Sequence, residues 1–184
     1  MIRRNLLALA LAAPAAPAWA QFDTMTQKPI VKAVRDGDEE KVRQALLKGE
    51  NPNQIDASGR PLLMIAAMDG QIAVVDALLK GGAVPDALDR EGYTSLIRAA
   101  ERGDVDIADM LIKRHAKVSA QTRQGTTAMM VAARLGHAEI VRLLIAAKAD
   151  PNQPDFTGRT ALAYARQSNR ASIEQMLRKA GGKE

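Results

Sequence analysis

The stretch Gly125-Thr126-Thr127-Ala128-Met129-Met130-Val131-Ala132-Ala133-Arg134-Leu135-Gly136-His137-Ala138-Glu139-Ile140-Val141-Arg142-Leu143-Leu144-Ile145 reads as two short helices with a glycine between them. Thr127 suits a helix start, because a hydroxyl there can accept from backbone N–H groups that the first turn leaves free. Gly136 suits a helix end, because a positive φ is easy for glycine. After it, Ile140, Val141, Leu144 and Ile145 recur at helical spacing. Ala132-Ala133 leave room for a neighbouring helix to approach closely. Asp150-Pro151-Asn152 then stops the second helix and starts a turn.

The pattern recurs along the chain. Gly59, Gly92, Gly125 and Gly158 stand 33 residues apart. Gly37, Gly70, Gly103 and Gly136 keep the same period, which closes on Asn169, and so do Asp56, Asp89, Thr122 and Asp155. Ala66-Ala67 and Ala99-Ala100 match Ala132-Ala133, and Thr94 and Thr160 match Thr127. Three phased series at one period mark an array of stacked units.

Asp89-Arg90-Glu91-Gly92-Tyr93-Thr94-Ser95-Leu96, Gly136-His137-Ala138-Glu139-Ile140-Val141-Arg142-Leu143-Leu144 and Ala149-Asp150-Pro151-Asn152 together resemble the ankyrin-repeat family, over about residues 28–182. The resemblance implies an all-α solenoid of about five helix–turn–helix units, joined by β-hairpin-like fingers. The units are expected at 28–55, 56–88, 89–121, 122–154 and 155–182. The first is truncated and carries Asp38-Glu39-Glu40 on an exposed face, as a cap should. In the last, Arg166 stands for the second alanine and Asn169 for the glycine, which suits the opposite cap. The tail from Gly181, with residues 183–184 beyond the last unit, is expected to be loose.

Two departures from the family pattern matter. The family's usual histidine after its T-P-L stretch is Met64, Ile97, Met130 and Ala163 here, so its bonding role is absent. At the end of the second helix, Gly49, Gly82 and Gly181 become His115 and Lys148 in the middle units. A left-handed backbone there costs each non-glycine about 1 kcal/mol.

The first twenty residues have the build of a secretory signal peptide. Arg3-Arg4 precede an apolar run from Leu6 to Ala13, and Ala18-Trp19-Ala20 is a small-x-small cleavage site. The run is shorter than the roughly 20 residues a membrane span needs. The expected organisation is therefore a signal peptide over 1–20, a disordered linker over 21–27 and the repeats. Cleavage removes Arg3 and Arg4, two of the five net formal positive charges. The product is expected to be periplasmic or secreted, and off the membrane. Arg3-Arg4 is compatible with either the general or the twin-arginine export route.

Composition narrows function. With no cysteine, disulfide scaffolds, thiolate metal sites and cysteine nucleophiles are excluded. Aromatics are 3% of residues, so Ala and Leu carry the core and helices are favoured over sheets. The net charge of +5 is mild, unlike the basic stripe of a nucleic-acid binder. His115 and His137 sit at helix termini, with no partner at metal-ligand spacing. No phosphate-binding loop, dinucleotide fingerprint or G-x-S-x-G elbow occurs. Asp56, Asp89 and Asp155 read as turn-holding carboxylates. The chain is thus expected to be a non-enzymatic module with no cofactor and no metal.

The resemblance further implies a concave contact surface, built from finger tips and the exposed ends of the first helices. Carried onto this sequence, the register selects Arg60, Met68, Leu88, Arg90, Tyr93, Arg102, Arg123, Arg134, Leu135, Phe156 and Arg159. Arginine and aromatic residues are the types enriched at energetic centres of protein interfaces. The expectation is a monomer that docks onto an exported protein, with an acidic partner suggested by the arginines. A secreted effector that binds proteins of another cell is the alternative. An enzyme has no recognisable site to support it.

Overall fold

The computed structural model describes residues 28–183. The expected signal peptide, the linker and Glu184 lie outside them. Ten helices run in pairs through this range: α1 (Pro29–Arg35) and α2 (Glu39–Leu47), α3 (Leu62–Asp69) and α4 (Ile72–Lys80), α5 (Ser95–Arg102) and α6 (Val105–Lys113), α7 (Ala128–Leu135) and α8 (Ala138–Ala146), α9 (Ala161–Gln167) and α10 (Ala171–Lys179).

Local chemistry sets the ends of these helices. The hydroxyl oxygens of Thr94 and Thr127 each accept the N–H three residues on, from Ile97 and Met130, at 3.3 Å. Thr160 holds the same extended backbone but makes no such bond. Asp38 and Asp104 cap α2 and α6 through the N–H groups of Lys41 and Ile107. At the other ends of α3, α5 and α7, Gly70, Gly103 and Gly136 take left-handed φ values of 71°, 80° and 92°.

The first helices α1, α3, α5, α7 and α9 pack side by side, the second helices form a parallel layer, and each first helix packs on its own second. Ala66, Ala67, Ala99, Ala100, Ala132 and Ala133 are fully buried where first helices meet. Their small side chains set the close stacking. Leu78, Leu111, Leu144 and Leu177 repeat once in each of units two to five at full burial on the facing helices. Each such leucine contributes about 1.5–3 kcal/mol relative to exposure. The core is therefore continuous from unit to unit, and no single unit encloses one of its own.

The fingers are tight turns more than hairpins. In each, the N–H of the leading residue donates to the carbonyl four residues on: Asp56 to Arg60, Asp89 to Tyr93, Thr122 to Thr126 and Asp155 to Arg159, at 2.9–3.2 Å. Among the described residues, ladder pairing amounts to isolated bridges between Ile55 and Pro61 and between Gln121 and Thr127. Neighbouring fingers are stitched by backbone bonds from Arg123 to the Glu91 carbonyl, 3.1 Å, and from Phe156 to the Gln124 carbonyl, 3.2 Å. Gly125 has φ 79°, and a Cβ there would stand 2.7 Å from the Phe156 nitrogen, so close finger stacking requires glycine.

Loops at the far end are tied by a second series. Asn53 bridges to the Gly82 carbonyl and the Val84 N–H. Asn152 does the same with the Gly181 carbonyl and the Lys183 N–H. The tail read as loose is thus held by Asn152 as far as Lys183. Asn152 needs backbone partners one unit along, and the tail supplies them. At the C-terminal cap, Arg166 is exposed and bonds Glu174 at 2.9 Å.

Candidate functional site

The fingers and the C-terminal ends of the first helices line shared clefts. One, of about 390 Å³, is walled by the fingers of units two and three and by Met68 and Arg98. A larger one, of about 500 Å³, lies across units three to five, between Tyr93, Gln124, Thr126 and Arg159 on fingers and Glu101, Arg134, Gln167 and Ser168 on helix ends. Arg60, Met68 and Arg90 meet in the first. Tyr93, Arg134 and Arg159 meet in the second. Leu88, Arg102, Arg123, Leu135 and Phe156 wall neither.

The eleven residues predicted from the sequence divide by what they touch. Arg60 is half-buried and bonds the Asp56 carboxylate at 2.9 and 3.1 Å, so it braces its own finger. Arg159 stacks over Tyr164, bonds the Thr157 hydroxyl and lies 3.4 Å from the Asp155 carboxylate. Arg102 folds back over Gly70 and reaches the Met68 carbonyl at 3.4 Å. Met68 is partly buried beside Arg60 and Arg102. Tyr93 packs against the core, and the Arg98 guanidinium covers its ring 3.5 Å from the centroid.

The remaining six face outward. Leu88 is 56% exposed and Phe156 73%. Leu135 is partly exposed at the end of α7. Arg90, Arg123 and Arg134 are exposed and form no ion pair among the described residues. The guanidinium stem of Arg90 lies on Gly59, where a Cβ would come within 2.7 Å of Nε, so this side chain rests on the preceding finger. Ile55, 61% exposed, adds a further apolar tip.

Arg98 is the residue that the register missed. It bonds Asp89 at 3.2 Å and Glu101 at 3.0 Å while stacking on Tyr93. Burial opposes its charge, but Glu101 and Asp89 outweigh that and hold it more firmly protonated than an ordinary arginine. Arg35, from unit one, is a second unforeseen brace on Asp56, at 3.1 Å. Both sit on first-helix faces, and only the positions of the finger carboxylates could have pointed to them.

Those carboxylates are buried and satisfied. Asp56 accepts from the backbone of Ser58 and Arg60 and from the side chains of Arg60 and Arg35. Burial acts to raise its pKa, yet the Arg60 and Arg35 bonds hold it below the usual carboxylate range. In Asp155, burial is likewise overcome by the Thr157 and Tyr164 hydroxyls and the N–H groups of Arg159 and Thr157, and the carboxyl lies well below that range. Burial and the adjoining Asp155 charge push the Tyr164 phenol up. These are the turn-holding roles read from the sequence.

Of the two histidines, His137 is held by contacts between units. His137 leads α8, and its ring reaches the Glu101 carbonyl of the preceding unit at 3.2 Å, packed on Gly103. His115 stands in the left-handed region at φ 63°. Among the described residues, no three His, Cys, Asp or Glu side chains converge as a metal site, and no helix is long and apolar enough to cross a membrane.

Comparison with curated proteins gives no match. The family model described as ankyrin repeats (3 copies) matches residues 30–122 and 114–183. Such repeats are generic protein–protein interaction modules. Paired helices at a 33-residue period over the matched range, with glycine ending four of the five first helices and turn-like fingers between units, make one conclusion plain: the chain belongs to the ankyrin-repeat family.

Proposed function

We propose that the protein is a non-enzymatic monomer that docks its finger side, the concave side of the array, onto an acidic region of another exported protein. One observation carries this reading. Leu88, Arg90, Arg123 and Phe156 form an outward row on successive fingers, and the two arginines make no ion pair among the described residues, while Arg60 on the preceding finger and Arg159 beside Phe156 do. Arginines already committed to a carboxylate brace the fold. Uncommitted arginines beside exposed apolar side chains have the composition of an interface centre.

Residues 1–20 support this reading: a signal peptide there would release an exported protein that begins at Gln21. A photo-crosslinking residue at Leu88 or Phe156 should trap a partner in the native cells, and one at Leu47, on the second-helix side, should not. Crosslinks at Leu47 alone would overturn the docking side. N-terminal sequencing should read Gln-Phe-Asp from the periplasmic fraction. Recovery from the medium instead favours an effector acting on other cells.

A further inference from the structure

The cleft across units three to five differs from the finger row in its chemistry. It holds about 500 Å³ and is walled mainly by polar groups. Its charges are nearly all spoken for. Glu101, on one wall, is bonded by Arg98 at 3.0 Å. Arg159, on another, lies against Asp155 at 3.4 Å and Thr157 at 2.9 Å. Arg134 alone among the ionised side chains lining this cleft has no ion-pair partner among the described residues.

The register explains why it is left over. Position 134 is equivalent to Met68, Glu101 and Gln167, so its neighbours along the column are a carboxylate already engaged and an uncharged amide. Gln124, Thr126, Gln167 and Ser168 surround it with neutral side chains that can donate. One unpaired guanidinium among neutral donors, in a recess, is a site complementary to a carboxylate. A guanidinium binds one through two parallel N–H bonds.

We propose that this cleft receives an acidic side chain of the protein partner, paired with Arg134 and bonded by Gln124 and Gln167. The inference rests on the finger side being the docking side, and it specifies where an acidic residue seats. The finger row then supplies the surrounding contact.

The probe is hexa-glutamate, acetylated and amidated so that only side chains carry charge, titrated into the ¹⁵N-labelled protein. Amide shifts should centre on Gln124, Thr126, Arg134 and Gln167. Arg134→Gln should weaken binding about tenfold, the scale of one charge-assisted pair, with the melting temperature unchanged because no internal ion pair is broken. Arg142→Gln, on a second helix, should change neither. Acetate should shift the same amides if a lone carboxylate suffices, and its failure beside hexa-glutamate binding still supports a peptide-borne one. Equal binding of hexa-glutamine, or equal loss from Arg142→Gln, overturns the site. Crosslinks at Leu88 and Phe156 with no preference for Arg134 would remove this cleft and leave the docking side standing. Hexa-glutamate bound at Arg134 with no crosslinks would do the reverse.

Discussion

The hydroxyl of Tyr164 donates to the Asp155 carboxylate at 2.7 Å, from nine residues along the chain. The same spacing recurs two units earlier. Arg98 stands nine residues after Asp89 and bonds it at 3.2 Å. In unit two the ninth residue is Ile65, and Arg35 of α1 and Arg60 bond Asp56 instead. In unit four the ninth residue is the buried Val131, which cannot donate, and the finger begins with Thr122, which carries no charge. Thr122 still accepts the N–H groups of Gln124 and Thr126 through its hydroxyl. Each charged finger residue thus has a side-chain donor, on its own first helix in units three and five and on the preceding unit's first helix in unit two.

Tyr164→Phe should therefore destabilise the protein by about 1.5–3 kcal/mol, the range for a hydrogen bond to a charged group. Urea unfolding checks this. An unchanged midpoint would mean that the remaining donors to Asp155 suffice.

Acid should act through the same carboxylate. Asp155 and Asp56 both have folded pKa values below their ordinary ones. Their contribution is fully present above the unfolded value of about 3.9 and is lost as pH falls from there toward the depressed folded values. Stability followed from about pH 6 to about pH 2 should drop below about pH 4 in the parent. The Asp155→Asn variant should start less stable and fall less steeply.

Unit four offers a direct exchange. Thr122→Asp introduces a buried carboxylate facing Val131, with one oxygen unpaired, and should cost about 1–3 kcal/mol. Adding Val131→Tyr restores the arrangement of unit five and should recover part of that loss. A double-mutant cycle should give a favourable coupling of about 1 kcal/mol or more. Strict additivity would show that the nine-residue pairing carries no energy of its own.

Much of this was legible beforehand, because the period, the glycines and the alanine pairs are read from single positions. Left-handed backbone at His115 and Lys148, expected from the glycines that match them, is seen at φ 63° and 64°. The division of the arginines was not legible. Arg60 and Arg90 occupy different register positions, yet both read as exposed finger cations, and only the distance to Asp56 separates brace from free charge. Arg98 was missed because a first-helix interior position reads as core until its carboxylate partners are placed around it.

His115→Gly and Lys148→Gly should each stabilise by up to about 1 kcal/mol, reduced by the freedom glycine adds to the unfolded chain. Asn169, at φ 55°, should gain less from the same change because asparagine tolerates this region better. Chemical denaturation of the three variants gives the order. A fall in midpoint for both His115→Gly and Lys148→Gly would contradict the strain.

The finger row makes the last prediction. Arg90 and Arg123 lie at equivalent positions of adjacent units, so their charges project on one side of the array. Neither has an ion-pair partner among the described residues, so reversing both should leave stability within about 0.5 kcal/mol, as for ordinary surface changes. Binding should respond differently. Against the partner trapped at Leu88 or Phe156, Arg90→Glu with Arg123→Glu should slow association and weaken the complex strongly. Like charge then faces an acidic surface, and such juxtaposition costs several kcal/mol where it is close. Added salt should slow association of the parent more than it speeds dissociation, since long-range attraction is screened first. Arg142→Glu with Lys113→Glu reverses two charges on second helices and changes net charge equally. If that pair weakens binding as much, net charge alone steers the partner, and the finger row has no special part in recognising it.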